Sequence, residues 1–174
     1  MKFKTKFTLF LILVLNFTNI YGQSNSYFSI SFGGALNGIQ TKESSNLSLE
    51  MSVTLFGLYI DAASNLAKGE GTKLDFSSNQ TYSTNKVEIV SMNFGYAIPL
   101  SYSKPIYFTP FVGFVSTYDI YEDFVPPVTY FTKEDKTYFN AGGLIMCNVN
   151  DLVNLQIGIS TKQYIKFGIG IGLH

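Results

Sequence analysis

Four charged side chains sit where a β-strand would turn them away from its apolar face: Glu50, Asp61, Glu88 and Lys166. Three carboxylates and one ammonium can knit an interior network of charge-assisted hydrogen bonds, or line a narrow path that favours cations. Little else in the chain supplies chemistry. The single histidine, His174, and the single cysteine, Cys147, leave no material for a Ser-His-Asp triad or a zinc site, so no catalytic residue, metal ligand or cofactor is expected. The glycines of Gly168-Ile-Gly-Ile-Gly172 superficially match a dinucleotide-binding turn, but that motif must open a helix. A second candidate is the apolar cluster Phe124, Val125, Pro126, Pro127, Val128, Tyr130 and Phe131, set between the acidic pairs Glu122, Asp123 and Glu134, Asp135. Exposed apolar patches mark contact sites, and the Pro-Pro step stiffens a loop before it binds.

The elements that must position these residues are strands. Leu47, Leu49, Met51, Val53 and Leu55 alternate with Ser48, Glu50, Ser52 and Thr54, a period of two that no helix produces. The same alternation predicts strands over 27–36, 58–66, 86–98, 106–120, 138–149 and 153–160, with a last one from Tyr164. In that last strand Phe167, Ile169, Ile171 and Leu173 alternate with Gly168, Gly170 and Gly172, so one face is bulky and the other nearly bare backbone. The phase of the 106–120 strand is ambiguous because aromatics occupy both of its faces. Long polar connections (37–46, 67–85, 121–137) alternate with short ones (around Phe56, 99–105, 148–151). Such sorting is expected when short turns lie on the periplasmic side of a barrel and long loops outside. The prediction is an all-β, eight-stranded antiparallel up-and-down transmembrane β-barrel, with Tyr27, Tyr96, Tyr102, Tyr107 and Tyr164 near strand ends, where they occupy the interfacial belts or, equally well for about half of them, face the lumen.

The amino terminus carries Lys2, Lys4 and Lys6, then the apolar run Phe7 to Leu15, the layout of a secretory signal peptide. The expected division is a signal peptide over 1–22, cut near Gly22, and one barrel domain over 23–174. Losing three of the 12 lysines leaves nine against 12 acidic groups, a formal net charge of −3, and arginine is absent. Nucleic acid is therefore not an expected partner, because its recognition uses a basic footprint and arginine forks. One cysteine cannot close an intramolecular disulfide, so stability must come from closing the sheet.

The signal peptide, the strand pattern and the terminal Phe167, Ile169, Ile171, Leu173 series together resemble the small outer-membrane β-barrel proteins, the family of OmpX-like barrels and the OmpA transmembrane domain. The chain departs from that family in ending on His174 and in having no tryptophan. The resemblance implies a monomer in the outer membrane of a Gram-negative bacterium, surrounded by its lipid and inserted by the assembly machinery through the last strand. It implies a structural, surface-binding or adhesive role through external loops, without catalysis. On the barrel reading, Glu50, Asp61, Glu88 and Lys166 plug the lumen, and the 124–131 cluster forms a contact patch, folds over the rim, or extends two strands into a hairpin above the membrane. Two other readings stay open at this point: a soluble lipocalin-like barrel holding an apolar ligand, whose greasy face would point inward, and a narrow pore.

Overall fold

Alternating side chains force a strand to present two unlike faces, and a sheet built from such strands can satisfy every backbone group in lipid only by closing on itself. The chain does so. Its computed structural model describes residues 28–39, 46–74, 82–101, 105–123, 127–149 and 152–173. The expected signal peptide, Tyr27, Tyr102, Phe124, Val125, Pro126 and His174 lie outside the described residues. Eight strands form the wall: β1 (Phe28–Asn37), β2 (Leu47–Leu55), β3 (Leu58–Ser64), β4 (Tyr82–Tyr96), β5 (Ile106–Asp123), β6 (Thr129–Val149), β7 (Val153–Ser160) and β8 (Gln163–Leu173). Each pairs antiparallel with its neighbours in sequence, and β8 returns to β1, with Ile30 opposite Ile171 and Phe32 opposite Ile169. The barrel is closed.

The facing is unambiguous. Leu49 and Met51 are 60% and 50% exposed, whereas Glu50 between them is 8% exposed. Phe94, Val112, Ile145, Leu155, Ile157 and Ile169 continue the apolar outer belt around the wall, and Ser31, Ser52, Asn93, Asn140, Asn154 and Gln156 are buried inside. A soluble carrier of apolar ligands needs the reverse arrangement, so that reading does not fit.

Two local features position the lumen. The β2–β3 hairpin turns on Phe56 and Gly57, at φ 51° and 82°, the doubly left-handed pair that matches the twist of flanking strands. Glycine on inner positions then makes room for larger neighbours: Gly33 and Gly168 oppose each other, and a Cβ on Gly33 would meet the Phe167 carbonyl. Tyr59, Ala97, Tyr107, Phe111, Leu144 and Met146 fill part of the space as a buried cluster. Of the two alternatives for the tyrosines, Tyr107 takes the lumen, while Tyr164 lies exposed on the outer face.

The largest departure from the sequence reading concerns β5 and β6. Residues 121–137 were expected as a connection, but the two strands stay paired from Ile106↔Cys147 up to Asp123↔Thr129. Beyond the membrane neither face must be greasy, so the pairing continues while the alternation that would announce it fades. The hairpin outcome above the membrane is the one observed.

Candidate functional site

The lumen cluster is built from three strands. Glu50 on β2 and Asp61 on β3 are diagonal neighbours, since Ser52 opposes Asp61 and Glu50 opposes Ala63. Lys166 enters from β8, on the far side of β1, and its stem can cross because β1 presents Gly33 and Ala35 there. Lys166 Nζ donates to Asp61 Oδ2 at 2.6 Å and lies 3.2 Å from Glu50 Oε2. The second contact is an ion pair without hydrogen-bond alignment, so charge alone holds that oxygen. The ammonium also sits 4.6 Å from the centre of the Phe111 ring, a cation–π distance. Asp61 and Lys166 are each 1% exposed.

Neutral groups complete the cluster. Asn93 Nδ2 donates to Asp61 Oδ1 at 2.7 Å, Asn140 Nδ2 donates to Asn93 Oδ1 at 2.9 Å, and Gln163 Nε2 donates to Ser91 Oγ at 2.8 Å. A second set occupies the periplasmic half: Gln156 Nε2 donates to Ser31 Oγ at 2.8 Å and to Asn154 Oδ1 at 2.7 Å, and Asn154 Nδ2 donates to Asn148 Oδ1 at 2.7 Å. The sequence reading singled out only charges and missed these amides, although their inward parity was legible. An eight-stranded barrel has an interior just wide enough for side chains, and these side chains occupy it.

Glu88 does not join this cluster. It shares the parity of Val90 and Met92 on β4, hence the outer face, and lies opposite Tyr118 on β5. The expectation of a lumen position was a phase error: two residues separate Glu88 from Val90, and strand side chains repeat every second residue.

Outside the membrane, β5 and β6 rise as a ledge. Phe114 and Phe139 meet edge to face at 6.3 Å near the top of the greasy belt, and the next outward pair, Ser116 and Thr137, is polar and hydrogen-bonded at 2.7 Å. From Thr137 up to Thr129 the strand gains about 20 Å of height at ~3.3 Å per residue and a tilt near 40°. The segment before β4 folds onto the ledge: Thr72 and Lys73 pair parallel with Thr129 and Tyr130, and Gly69 lies against the Tyr130 ring. Glu122 anchors it, accepting from the Glu70 backbone N–H at 2.9 Å and standing 3.4 Å from Lys86 Nζ.

The apolar cluster predicted around residue 128 is split by this geometry. Tyr130 and Phe131 are consecutive strand residues on opposite faces; Tyr130 packs on the Gly69 side, and Phe131 stacks on Tyr121 at 5.0 Å and 9°. Pro127 is exposed and Val128 half-buried. Glu122, in the acidic pair ahead of the cluster, is buried. On the side away from β5, β6 pairs with β7 only from Gly142 to Val149 and with the Thr72 segment only at Thr129 and Tyr130. Among the described residues, 132–139 therefore present an unpaired strand edge.

No protein-family model matches the chain, and no curated protein matches it in sequence. Among solved structures it is similar to the crystal structure of Ail, the attachment invasion locus protein of Yersinia pestis, with a TM-score of 0.51 and 12% identity over 86% of this chain and 100% of that one. A second Ail structure, in complex with the heparin analogue sucrose octasulfate, gives a TM-score of 0.48 and 12% identity over 86% of this chain and 96% of that one. The likeness at this identity is one of fold. Closed, greasy outside and polar within, the chain has the fold of an eight-stranded transmembrane β-barrel.

Proposed function

We propose that the barrel is an anchor and the ledge its working part: a monomeric, non-catalytic outer-membrane protein that binds a partner at the cell surface. The observation that carries this reading is the β6 edge at 132–139, unpaired among the described residues and rising from the top of the lipid belt to about 13 Å above it at ~3.3 Å per residue and a tilt near 40°, held there by strand pairing rather than by a loose loop. An exposed edge is a template to which an extended peptide adds by main-chain hydrogen bonds. The charges of Lys133, Glu134, Asp135 and Lys136 along it keep identical edges from associating indiscriminately. The lumen network supports the same reading, since a barrel plugged by its own side chains serves as a rigid stand and not as a conduit.

The test displays the full chain on Escherichia coli cells and measures adhesion to gelatin, casein and epithelial monolayers. The comparison is a variant in which 117–136 is replaced by an Asn-Gly turn between the paired Ser116 and Thr137. Adhesion above that of cells lacking the protein, lost in the shortened variant while its heat-dependent gel mobility persists, is the expected result. Equal adhesion by both, or none by either, removes the surface-binding reading.

A further inference from the structure

Successive residues of a strand turn their backbone N–H and C=O groups to opposite edges, so every second residue serves the neighbour on one side. At the top of β6 the residues serving the side away from β5 are Val128 and Tyr130, whose carbonyls accept from the Thr72 N–H at 3.1 Å and the Leu74 N–H at 2.7 Å. Counting by twos, the row continues through Thr132 and Glu134. Asp135 is then the extra residue of a bulge, since Glu134 opposes Tyr118 and Lys136 opposes Thr117, and the bulge moves the alternation on by one. Below it the row resumes at Thr137 and Phe139 and reaches Ala141, whose carbonyl accepts from the Thr161 N–H at 3.0 Å. One row of main-chain groups thus meets the Thr72 segment at its top and β7 at its foot. Among the described residues, the stretch between them has no strand beside it.

What occupies the top of the row is a strap of this same chain, residues 66–74, and it is lightly held. Lys68, Glu70, Thr72 and Lys73 are exposed, so the seat takes hold of the strap's main chain and not of its side chains. Two glycines let that main chain approach: Gly69 lies against the Tyr130 ring, and Gly71, at φ 81°, leaves no room for a Cβ beside the Val128 carbonyl. Beyond the pairing of Thr72 and Lys73 with Thr129 and Tyr130, the strap is fastened by the Glu70 N–H donating to Glu122 Oε1 at 2.9 Å. Exposed pairings this short belong to the part of a structure that opens most easily. The strap is a sample, already seated, of what this edge accepts: extended backbone with its side chains turned to water.

Building on the surface-binding reading, we propose that the strap is an internal placeholder, and that the partner is an extended, unstructured polypeptide that displaces residues 72–74 and adds as a strand along the whole row from Val128 to Phe139. The incoming strand takes over the hydrogen bonds that the strap gives up and gains those of Thr132, Glu134, Thr137 and Phe139 as well, so exchange favours a strand longer than the strap's own. Because the seat grips main chain, it is tolerant of sequence. A folded partner, whose own backbone groups are already paired, gains nothing from it.

The test displays the full chain on Escherichia coli cells and measures binding of fluorescent casein, a disordered polypeptide, with folded serum albumin as the comparison. Gly71→Val cannot seat the strap and should bind casein about threefold more than the native chain, with faster trypsin cleavage at Lys68 or Lys73 showing that the strap is released. Thr72→Cys with Thr129→Cys, in a Cys147→Ala background, sets two thiols on directly opposed residues; closed as a disulfide, this chain should bind about threefold less, and reductant should restore binding. Heat-dependent gel mobility shows that each barrel is folded. Native-level casein binding by the locked chain overturns the placeholder and leaves the surface-binding reading standing, and an equal gain in albumin binding by Gly71→Val overturns the extended partner. If the disulfide does not close, Gly71→Val decides alone: casein binding no higher than that of the native chain overturns the proposal. Absence of casein binding by every displayed chain removes both the proposal and the reading on which it rests.

Discussion

Replacing Lys166 by methionine keeps the volume of the side chain and removes its charge, leaving Glu50 and Asp61 in the lumen with no cation between them. With an effective dielectric near 20, the contacts at 2.6 Å and 3.2 Å are worth about 6 and 5 kcal/mol of Coulomb attraction before desolvation is charged against them. Desolvation of three buried ions offsets most of that, so the pair is of little net benefit over a well-packed apolar core, but stripping one partner from a buried pair costs about 3–5 kcal/mol. Lys166→Met should therefore lower the urea midpoint of the vesicle-inserted protein by about 1.5–2.5 M, for an m-value near 2 kcal/mol/M. Adding Glu50→Gln and Asp61→Asn removes the stranded charges and should restore most of the loss, a non-additivity that only coupled residues show. The readout is the fraction migrating in the fast, unboiled form, since the chain has no tryptophan to report unfolding. A loss below ~1 kcal/mol for Lys166→Met, or a triple variant no more stable than the single one, would refute the claim that charge pairing governs the lumen.

Three further outcomes follow from the same geometry. In planar bilayers the native barrel should show no resolvable conductance, while Lys166→Ala, which both unplugs the lumen and leaves two carboxylates, should give small cation-selective events; sustained anion currents in either would contradict the facing described. Lysine at Met51, in the middle of the belt on β2, should cost about 2–4 kcal/mol of membrane stability and reduce recovery of the heat-modifiable form from membranes, whereas a lysine at Pro127 on the ledge should change neither. Glu122→Ala removes the acceptor of the Glu70 N–H and the partner of Lys86, so trypsin added to intact cells should cut at Lys68 or Lys73 about tenfold faster, equivalent to ~1.4 kcal/mol. Unchanged cleavage would mean that strand pairing at Thr72 and Lys73 alone secures the segment.

Much of the architecture was legible because the bilayer imposes a rule that each strand obeys by itself. Leu47 to Leu55 and Phe167 to Leu173 must be greasy on every second residue wherever they end up in the sheet, so their facing and the strand number could be read locally. Glu50, Asp61 and Lys166 were likewise readable as inward by parity, and Glu88 shows the limit of that reasoning, since one slip in phase moves a side chain through the wall.

What the chain could not declare residue by residue depends on which strands become neighbours. That Lys166 meets Glu50 across β1, and Asp61 across β1 and β2, requires the register that sets Gly33 and Ala35 beside it, and register is a property of the closed sheet. The amides of Asn93, Asn140, Asn154 and Gln156 carry no charge pattern to mark them, and they become a network only when the lumen forces them together. The ledge lies beyond the membrane, where period-two greasiness is no longer demanded, so its pairing is decided by hydrogen bonds propagated upward from the barrel. The sequence by itself thus determined the faces and the solvent each must meet, and the tertiary structure decided the neighbours, because faces follow from single strands while neighbours follow from closure.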